Sequence, residues 1–169
     1  MKKIFGLLLI LVVLGLLPLT SAHPTTGGDA IETIRSQYAA INKNVGRYKK
    51  VKRNLPGYSA EGGTMDAFFD GKSLKKIVAH FYGEMGRTDE EYYFWGDKLI
   101  FVFGRESNYD RPLSGKVVSK KENRFYFNDG QMIRWIDENG RQVSSSDSSY
   151  NEKQSDYLET SQKFAEMAR

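Results

Sequence analysis

The chain has 169 residues, with 25 lysines and arginines against 21 aspartates and glutamates, which gives a formal net charge of +4. Its length fits one domain with a targeting segment, and 40% hydrophobic and 27% charged residues are typical of a globular protein. The sequence has no cysteine, which excludes disulfides, thiolate metal sites and cysteine nucleophiles, and its two histidines supply little for imidazole catalysis.

Residues 1–22 have the three-part layout of a secretory signal peptide. Lys2 and Lys3 form a positive head, an apolar run follows, and Pro18 breaks this run before small residues that end in Ala22. An uncleaved anchor is the alternative, but the apolar run is shorter than the ~20 residues that span a bilayer. We therefore predict cleavage near Ala22, export to the periplasm or the extracellular space, and no stable membrane span afterwards.

Loss of the two lysines lowers the formal charge from +4 to +2, so the overall charge does not support a nucleic-acid partner. Cleavage would also leave His23 at the new terminus, where the amine and the imidazole together can chelate copper. The one other histidine, His80, lies on a predicted strand with no motif that links it to the terminus. We therefore predict no metal and no cofactor.

A flexible lead-in over residues 23–28 is followed by a predicted helix. Asp29 and Glu32 have the spacing of a capping box. Apolar residues then recur at spacings of three and four, which keeps them on one face of the helix. They are Ile31, Ile34, Tyr38, Ile41, Val45 and Tyr48.

The middle of the chain has the pattern of an antiparallel meander with at least two and as many as three tight hairpins. A Phe precedes a Leu or Met by five residues three times, around turn sequences that contain Asp-Gly or Gly-Asp. The pairs are Phe69 with Leu74, Phe94 with Leu99, and Phe127 with Met132. A two-residue loop places the members of each pair directly opposite on one sheet face.

Strict alternation from the second hairpin predicts two faces. The core face carries Tyr92, Phe94, Leu99, Phe101 and Phe103. The other face carries Glu91, Tyr93, Trp95, Lys98, Ile100 and Val102.

Residues 144–149 form a predicted Ser/Asp-rich linker, and a second helix is predicted from Tyr150 to Arg169, with weak amphipathicity that favours loose packing or fraying. Its apolar side holds Tyr157, Ser161, Phe164 and Ala168. The fold class is therefore α+β: a single domain over residues 29–143 with an antiparallel meander sheet of about five to seven strands, flanked by an N-terminal and a C-terminal helix.

The stretch from Ala60 to Val143 resembles a family of small secreted bacterial α+β proteins of uncharacterised function. The residues that carry the resemblance are Glu61-Gly62-Gly63, Phe68-Phe69-Asp70-Gly71, Leu74-Lys75-Lys76-Ile77, Tyr82-Gly83-Glu84-Met85-Gly86-Arg87, Glu91-Tyr92-Tyr93-Phe94 and Tyr126-Phe127. The resemblance covers about half of the chain. It implies a secreted single domain and carries no activity and no site residues.

The segment from Gly83 to Arg87 is the first candidate site. Two glycines bracket Glu84, so a bulged loop could display Glu84 and Arg87 together to grip a polar ligand. The structural alternative is that the glycines permit a turn and that the two charges pair with each other or with neighbours.

Carboxylates also cluster at Asp89, Glu90 and Glu91, and at Asp137 and Glu138. A glycan hydrolase needs two converging carboxyl groups, one of them with a raised pKa. Both clusters fall in predicted turns, where solvation leaves carboxyl groups ordinary, so we predict no catalytic residues. No nucleophile elbow and no phosphate-binding loop is present in the sequence.

Seven basic residues and no acidic ones lie between Arg35 and Arg53. At a helix C-terminus such charges complement the helix dipole. The functional alternative is attraction of the part from Lys43 to Arg53 to an anionic envelope surface.

The outer sheet face is the second candidate site, because it collects Phe68, Tyr93, Trp95, Tyr126 and Trp135. Exposed Tyr and Trp beside Arg are typical of protein interfaces and of sugar-stacking surfaces. The structural alternative is that one helix covers these side chains.

These observations favour an exported, non-enzymatic binding or inhibitor-type module. Its ligand or partner, a protein or an envelope glycan, would contact Glu84, Arg87, Tyr93, Trp95, Tyr126 and Trp135. A cell-wall glycan hydrolase with Glu84 as its acid, or a structural envelope protein, is the alternative.

Overall fold

The computed structural model describes residues 27–169; the predicted signal peptide, its cleavage site and His23 lie outside the described residues. The elements in chain order are α1 (Gly27–Asn44), a 3-10 turn (Val45–Arg47), β1 (Lys49–Asn54), β2 (Gly63–Asp70), β3 (Ser73–Gly83), β4 (Gly86–Trp95), β5 (Lys98–Tyr109), β6 (Val117–Asn128), β7 (Gln131–Ile136) and α2 (Ser148–Ala168).

Within residues 27–169, seven strands form one antiparallel sheet whose spatial order is the chain order, β1 to β7. The helix α1 packs on one face of this sheet and α2 packs on the other, so the domain has three layers. The predicted α+β meander of five to seven strands with a helix at each end is confirmed. Each strand adds to its predecessor through a short connection, which is the simplest topology that a chain of hairpins can take.

The three hairpins predicted from the repeated Phe-to-Leu spacing are confirmed. Phe69 pairs with Leu74, Phe94 with Leu99, and Phe127 with Met132. The loop residues Gly96 and Asp97 have φ angles of 56° and 59°, and Asp129 and Gly130 have 48° and 77°. These left-handed angles are the ones that a two-residue hairpin loop requires, and Gly, Asp and Asn tolerate them best.

A β-bulge follows each of these pairs and changes which face the next side chains occupy. The pairing shifts by one residue between Phe68 and Phe69, between Tyr93 and Phe94, and between Tyr126 and Phe127. In β5 the extra residue is Ile100, so Ile100 and Phe101 both face α1. The predicted faces are therefore wrong from Phe101 onwards: Phe101 and Phe103 face α1, and Val102 joins Tyr92 on the α2 face.

The α2 face of the sheet holds the larger core. One row of paired residues crosses six strands at its centre: Ala67, Ile77, Tyr92, Val102, Phe125 and Trp135. Phe164 of α2 is fully buried above this row, and its ring centroid lies 5.6 Å from that of Tyr92. Tyr157 packs beside it, with its ring centroid 4.5 Å from that of Phe125.

The first helix is shorter than the sequence predicts. It ends at Asn44, whose side-chain amide donates to the carbonyl of Ala40 at 2.8 Å, and a 3-10 turn follows. The predicted stripe residues Val45 and Tyr48 therefore lie beyond the helix. Helix α1 also begins two residues before Asp29, so Asp29 is in its first turn, where a negative charge favours the helix dipole.

Strand β1 occupies the basic segment that the sequence suggests to be the end of a helix. Its Lys50 forms an ion pair with Asp66 of β2 at 2.6 Å, and its Arg53 donates to the carbonyl of Met167 in α2 at 2.9 Å. Because alternate residues of a strand face opposite sides, these charges are divided between the two faces of the sheet. The helix-dipole explanation therefore applies to Lys43 and not to the residues of β1.

The second helix is packed along its length, whereas the sequence favours loose packing. Asp147 caps its first turn by accepting from the backbone N–H of Ser149 at 2.9 Å. The predicted inner side is confirmed, because Ser161, Phe164 and Ala168 are buried and Tyr157 is half-buried. Large apolar contacts to the sheet offset its weak amphipathicity.

Candidate binding site

The predicted aromatic face is not a single exposed surface. Tyr93 is fully buried, and Tyr126 is 7% exposed; both lie under α1. Trp135 faces α2 instead, where its ring lies 5.3 Å from Phe125 and its Nε1 donates to Asn123 at 3.0 Å. Trp135 lies on this face because of the bulge beside Tyr126, which places Trp135 and Tyr126 on opposite faces of the sheet.

Trp95 and Phe68 lie away from Tyr93, Tyr126 and Trp135. Trp95 is 44% exposed at the β4–β5 hairpin, and the Nζ of Lys75 lies 5.1 Å from its ring centroid. The Nζ of Lys50 lies 5.8 Å from the ring of Phe68. The predicted aromatic residues thus lie in separate places, and the binding role of Trp95 stays a prediction.

The segment from Gly83 to Arg87 forms the β3–β4 hairpin, with a two-residue turn at Glu84 and Met85. Glu84 and Arg87 are both exposed, but they do not pair with each other: the Nε of Arg87 donates to Asp89 at 3.1 Å. Asp89 also contacts Nδ1 of His80 at 2.7 Å. The hairpin matches the structural alternative, in which the glycines permit a turn and Arg87 pairs with a neighbour on strand β4. The binding roles of Glu84 and Arg87 stay predictions.

The hairpin tip is held by the end of β5 and by the β5–β6 connection. The backbone N–H of Leu113 donates to the carbonyl of Glu84 at 2.7 Å, and that of Tyr109 donates to the carbonyl of Met85 at 2.8 Å. Glu84 thus lies on an exposed, anchored turn rather than in a cleft with a second carboxyl group. This position lends no support to its predicted alternative role as a catalytic acid.

The acidic cluster that the sequence places in a turn lies in the middle of β4. Consecutive glutamates face opposite sides, and each accepts a hydrogen bond from the tyrosine two residues later: Glu90 from Tyr92, and Glu91 from Tyr93. Glu90 faces α2, where Tyr157 and Lys153 are its other partners. Burial raises the pKa of the Glu90 carboxyl above its usual range, against the opposing effect of the hydrogen bonds from the two tyrosines and the charge of Lys153.

We expect Glu90→Gln to stabilise the domain at neutral pH by about 1–2 kcal/mol, because the amide keeps the hydrogen bonds without a buried charge. Since folding raises the Glu90 pKa, its protonation favours the folded state below the pKa of the unfolded chain, and this contribution is lost as the pH rises through the folded-state pKa. The gain of the variant should therefore be larger at pH 8 than at pH 4. Urea unfolding of both proteins from pH 4 to pH 8 measures the difference in their free energies of unfolding. A difference that does not change with pH would contradict the placement of Glu90.

Glu91 lies on the α1 face in a different setting. Burial acts to raise its pKa, but hydrogen bonds from Lys76 and Tyr93 and the charges of Lys76 and Arg105 outweigh burial and hold the Glu91 pKa below its usual range. The Nζ of Lys76 is 2.7 Å from Glu91 and 3.1 Å from Oδ1 of Asn42 in α1. Glu91 is therefore charged, and its network ties α1 to the sheet.

Beside Glu91, an open cleft of about 440 Å³ lies between α1 and strands β4 to β6. We call it the arginine cleft. Ile34, Arg35 and Tyr38 of α1 form one wall; Phe101, Phe103 and Tyr126 form the floor; Glu91, Arg105, Glu122 and Arg124 complete the sheet side. Its volume is within the range of small-ligand sites, about 300–1,000 Å³.

The aromatic floor of the cleft is continuous. The ring of Phe101 lies 4.9 Å from that of Tyr126 and 5.3 Å from that of Tyr38, which is 39% exposed. The floor exists because the bulge at Ile100 turns Phe101 and Phe103 toward α1. Sequence alternation therefore misses this site. The signal that could have found it is the unbroken apolar run from Leu99 to Phe103, which is too long for strict alternation.

Two guanidinium groups are fixed beside this floor. Arg105 and Arg124 lie 5.1 Å and 5.4 Å from the ring centroid of Phe103, and both donate to Glu122, at 3.0 Å and 3.2 Å. Cross-strand pairing sets this arrangement, because Phe103 is opposite Arg124 and Arg105 is opposite Glu122. Because the two guanidinium groups share one carboxylate, each of them keeps N–H donors that are available to other acceptors.

Of the predicted site residues, Tyr126 lines the arginine cleft, Tyr93 lies beneath its Tyr38 wall, and Glu84, Arg87, Trp95 and Trp135 lie outside it. Across residues 27–169, no group of three or more His, Asp or Glu side chains is placed to hold a metal ion. No helix in the same range has the length and apolar character needed to cross a bilayer.

Comparison with protein-family models, curated protein sequences and solved structures finds no match to this chain. The resemblance of Ala60–Val143 to a secreted bacterial family therefore stays a prediction, and function has to be inferred from the geometry of the domain.

Proposed function

We propose that this protein is an exported, non-enzymatic binding module that recognises a protein or an envelope glycan through the arginine cleft. The observation that carries the proposal is the pair of guanidinium groups held over Phe103 at the edge of an aromatic floor. Concave sites that combine aromatic surface with a few fixed polar groups are typical of ligand recognition. Export is supported by the signal-peptide pattern of residues 1–22.

Preorganisation distinguishes the cleft from an ordinary charged surface. Phe103 and Glu122 hold both arginines in place before any ligand arrives, so fewer side-chain rotamers become ordered on binding. Arginine and tyrosine are also among the residues that most often dominate binding energy at interfaces. Arg87 and Trp95 do not line the cleft, and we assign them no part in it.

Affinity capture tests the proposal. The purified protein is incubated with an envelope extract that contains proteins and wall fragments, beside Arg105→Ala/Arg124→Ala and the matched control Arg141→Ala/Lys163→Ala. The control removes two positive charges that are also ion-paired, to Asp137 and Glu159, outside the cleft. We expect wild type and control to retain the same partner, and the cleft variant to retain at least tenfold less.

Circular dichroism and thermal unfolding establish that all three proteins are folded. Equal retention by the three proteins, or retention by none, would contradict a binding role for the cleft.

A further inference from the structure

We infer that the ligand of the arginine cleft is an acidic glycan: a chain of sugar rings that carry carboxylate groups. This inference rests on the proposed function and names the ligand class of that site. Three properties of the cleft lead to it: its uncommitted guanidinium donors, its aromatic floor and its two carboxylates.

The arginines keep donors for an anion. In the described part of the chain, Arg105 uses Nε for Glu122, and Arg124 uses one Nη. Arg35 of α1 is exposed and has no ion pair among these residues. Arg35, Arg105 and Arg124 outnumber the two carboxylates of the cleft, so the cleft has an excess of positive charge. The planar fork of a guanidinium matches the two oxygens of a carboxylate.

The floor suits a sugar ring. The C–H groups on one face of a pyranose are apolar and pack on aromatic side chains, and Tyr38, Phe101 and Tyr126 present such a surface. Tyr38 also brings a hydroxyl group, and Glu122 brings carboxylate oxygens that accept hydrogen bonds from sugar hydroxyl groups.

The same carboxylates disfavour a polyphosphate chain. Glu91 and Glu122 line the cleft beside the arginines, so a closely charged backbone such as a nucleic acid meets like charges on the sheet side. A glycan with one carboxylate on each ring can place its charge at the arginines and its hydroxyl groups at the glutamates. The arrangement of charges therefore selects a sparsely charged, hydroxyl-rich ligand.

Isothermal titration calorimetry with defined oligosaccharides tests this assignment. The carboxylated probes are tetragalacturonate and tetramannuronate, and the matched controls are their methyl esters, which keep the rings and remove the charge. A sulfated tetrasaccharide and a dinucleotide represent other anions. We expect at least one carboxylated probe to bind wild type at least tenfold more tightly than its ester, the sulfated probe and the dinucleotide.

Three double variants locate the interaction. Arg105→Ala/Arg124→Ala should weaken binding of the acid at least tenfold, whereas Arg141→Ala/Lys163→Ala should leave it unchanged. Arg105→Lys/Arg124→Lys keeps the charge and loses the planar fork, and should also weaken binding of the acid. If the alanine pair disturbs the fold, the lysine pair replaces it as the test of the cleft.

Equal affinity for acid and ester, absence of binding to both acids, or tighter binding of the sulfated probe or the dinucleotide would overturn the inference. If affinity capture still shows a partner that depends on Arg105 and Arg124, the proposed function stands and only the ligand class is wrong. If capture is indifferent to these arginines, the proposed function fails as well.

Discussion

Phe164→Ala should lower the free energy of unfolding by about 3–5 kcal/mol, because the ring is fully buried and its removal leaves a cavity that the sheet cannot fill. Its ring packs on Tyr92, on Tyr58 at 5.3 Å and on Phe81 at 6.3 Å. A loss of this size is a large fraction of the stability of a typical domain, about 5–15 kcal/mol. Urea unfolding followed by circular dichroism measures it.

Glu152→Ala is the control for the Phe164 variant, since Glu152 is exposed on the same helix, and its removal should change stability by no more than about 0.5 kcal/mol. A Phe164 variant as stable as this control would mean that α2 does not cover the sheet.

Gly86→Ala should cost about 3 kcal/mol, because β4 and β5 approach closely at this residue. A Cβ at position 86 would lie 2.3 Å from the carbonyl oxygen of Ser107, and a backbone oxygen within a paired strand cannot move aside without shifting β5. The hairpin tip would move too, since its turn is bonded to the β5–β6 connection. Chemical denaturation and a two-dimensional NMR spectrum of the variant record both effects.

Gly104→Ala is the matched control for Gly86→Ala. Gly86 begins β4 and Gly104 lies in the middle of the neighbouring β5. A Cβ at position 104 would meet its nearest neighbour, the hydroxyl of Tyr157, at 3.7 Å, which is an ordinary contact. This substitution should be neutral or stabilise by up to about 1 kcal/mol. Equal destabilisation by both changes would contradict the close approach at Gly86.

The hairpins are the part of the fold that local sequence determines. The loops at Gly96-Asp97 and Asp129-Gly130 need left-handed angles that few residue types adopt easily, so the turn chemistry sets the pairing of Phe94 with Leu99 and of Phe127 with Met132. The inner side of α2 can be predicted from the sequence for a similar reason, because helical spacing alone brings Ser161, Phe164 and Ala168 together.

Strand β1 and the bulges are the parts of the fold that apolar alternation does not reveal. The residues of β1 are mostly basic and have no alternating apolar pattern; they are extended because they pair with β2 at the sheet edge. The bulges reverse the alternation within a strand, so a face assignment based on strict alternation fails beyond each of them. The bulge at Ile100 moves Phe101 and Phe103 to the α1 face. The bulge beside Tyr126 moves Trp135 to the α2 face and so separates it from Tyr93 and Tyr126.

Strict alternation misses the arginine cleft for the same reason. Arg105 and Arg124 are unremarkable in sequence, 19 positions apart, and become neighbours of Phe103 only through the pairing of β5 with β6. Glu90 and Glu91 likewise differ only in the face to which they point. Burial under α2 raises the pKa of Glu90, and the Lys76 and Tyr93 partners hold that of Glu91 down despite burial.

The most direct test of the central claim, that the partner binds in the arginine cleft, is NMR spectroscopy of the arginine Nε–Hε signals during titration with the material retained in the capture experiment. The side chains of Arg105 and Arg124 are fixed by Glu122, and that of Arg87 by Asp89 on the uncovered part of the same sheet face. We predict that the signals of Arg105 and Arg124 shift while those of Arg87 and Arg53 stay in place. Shifts confined to Arg87, or to residues of α2, would place the partner elsewhere and contradict the account.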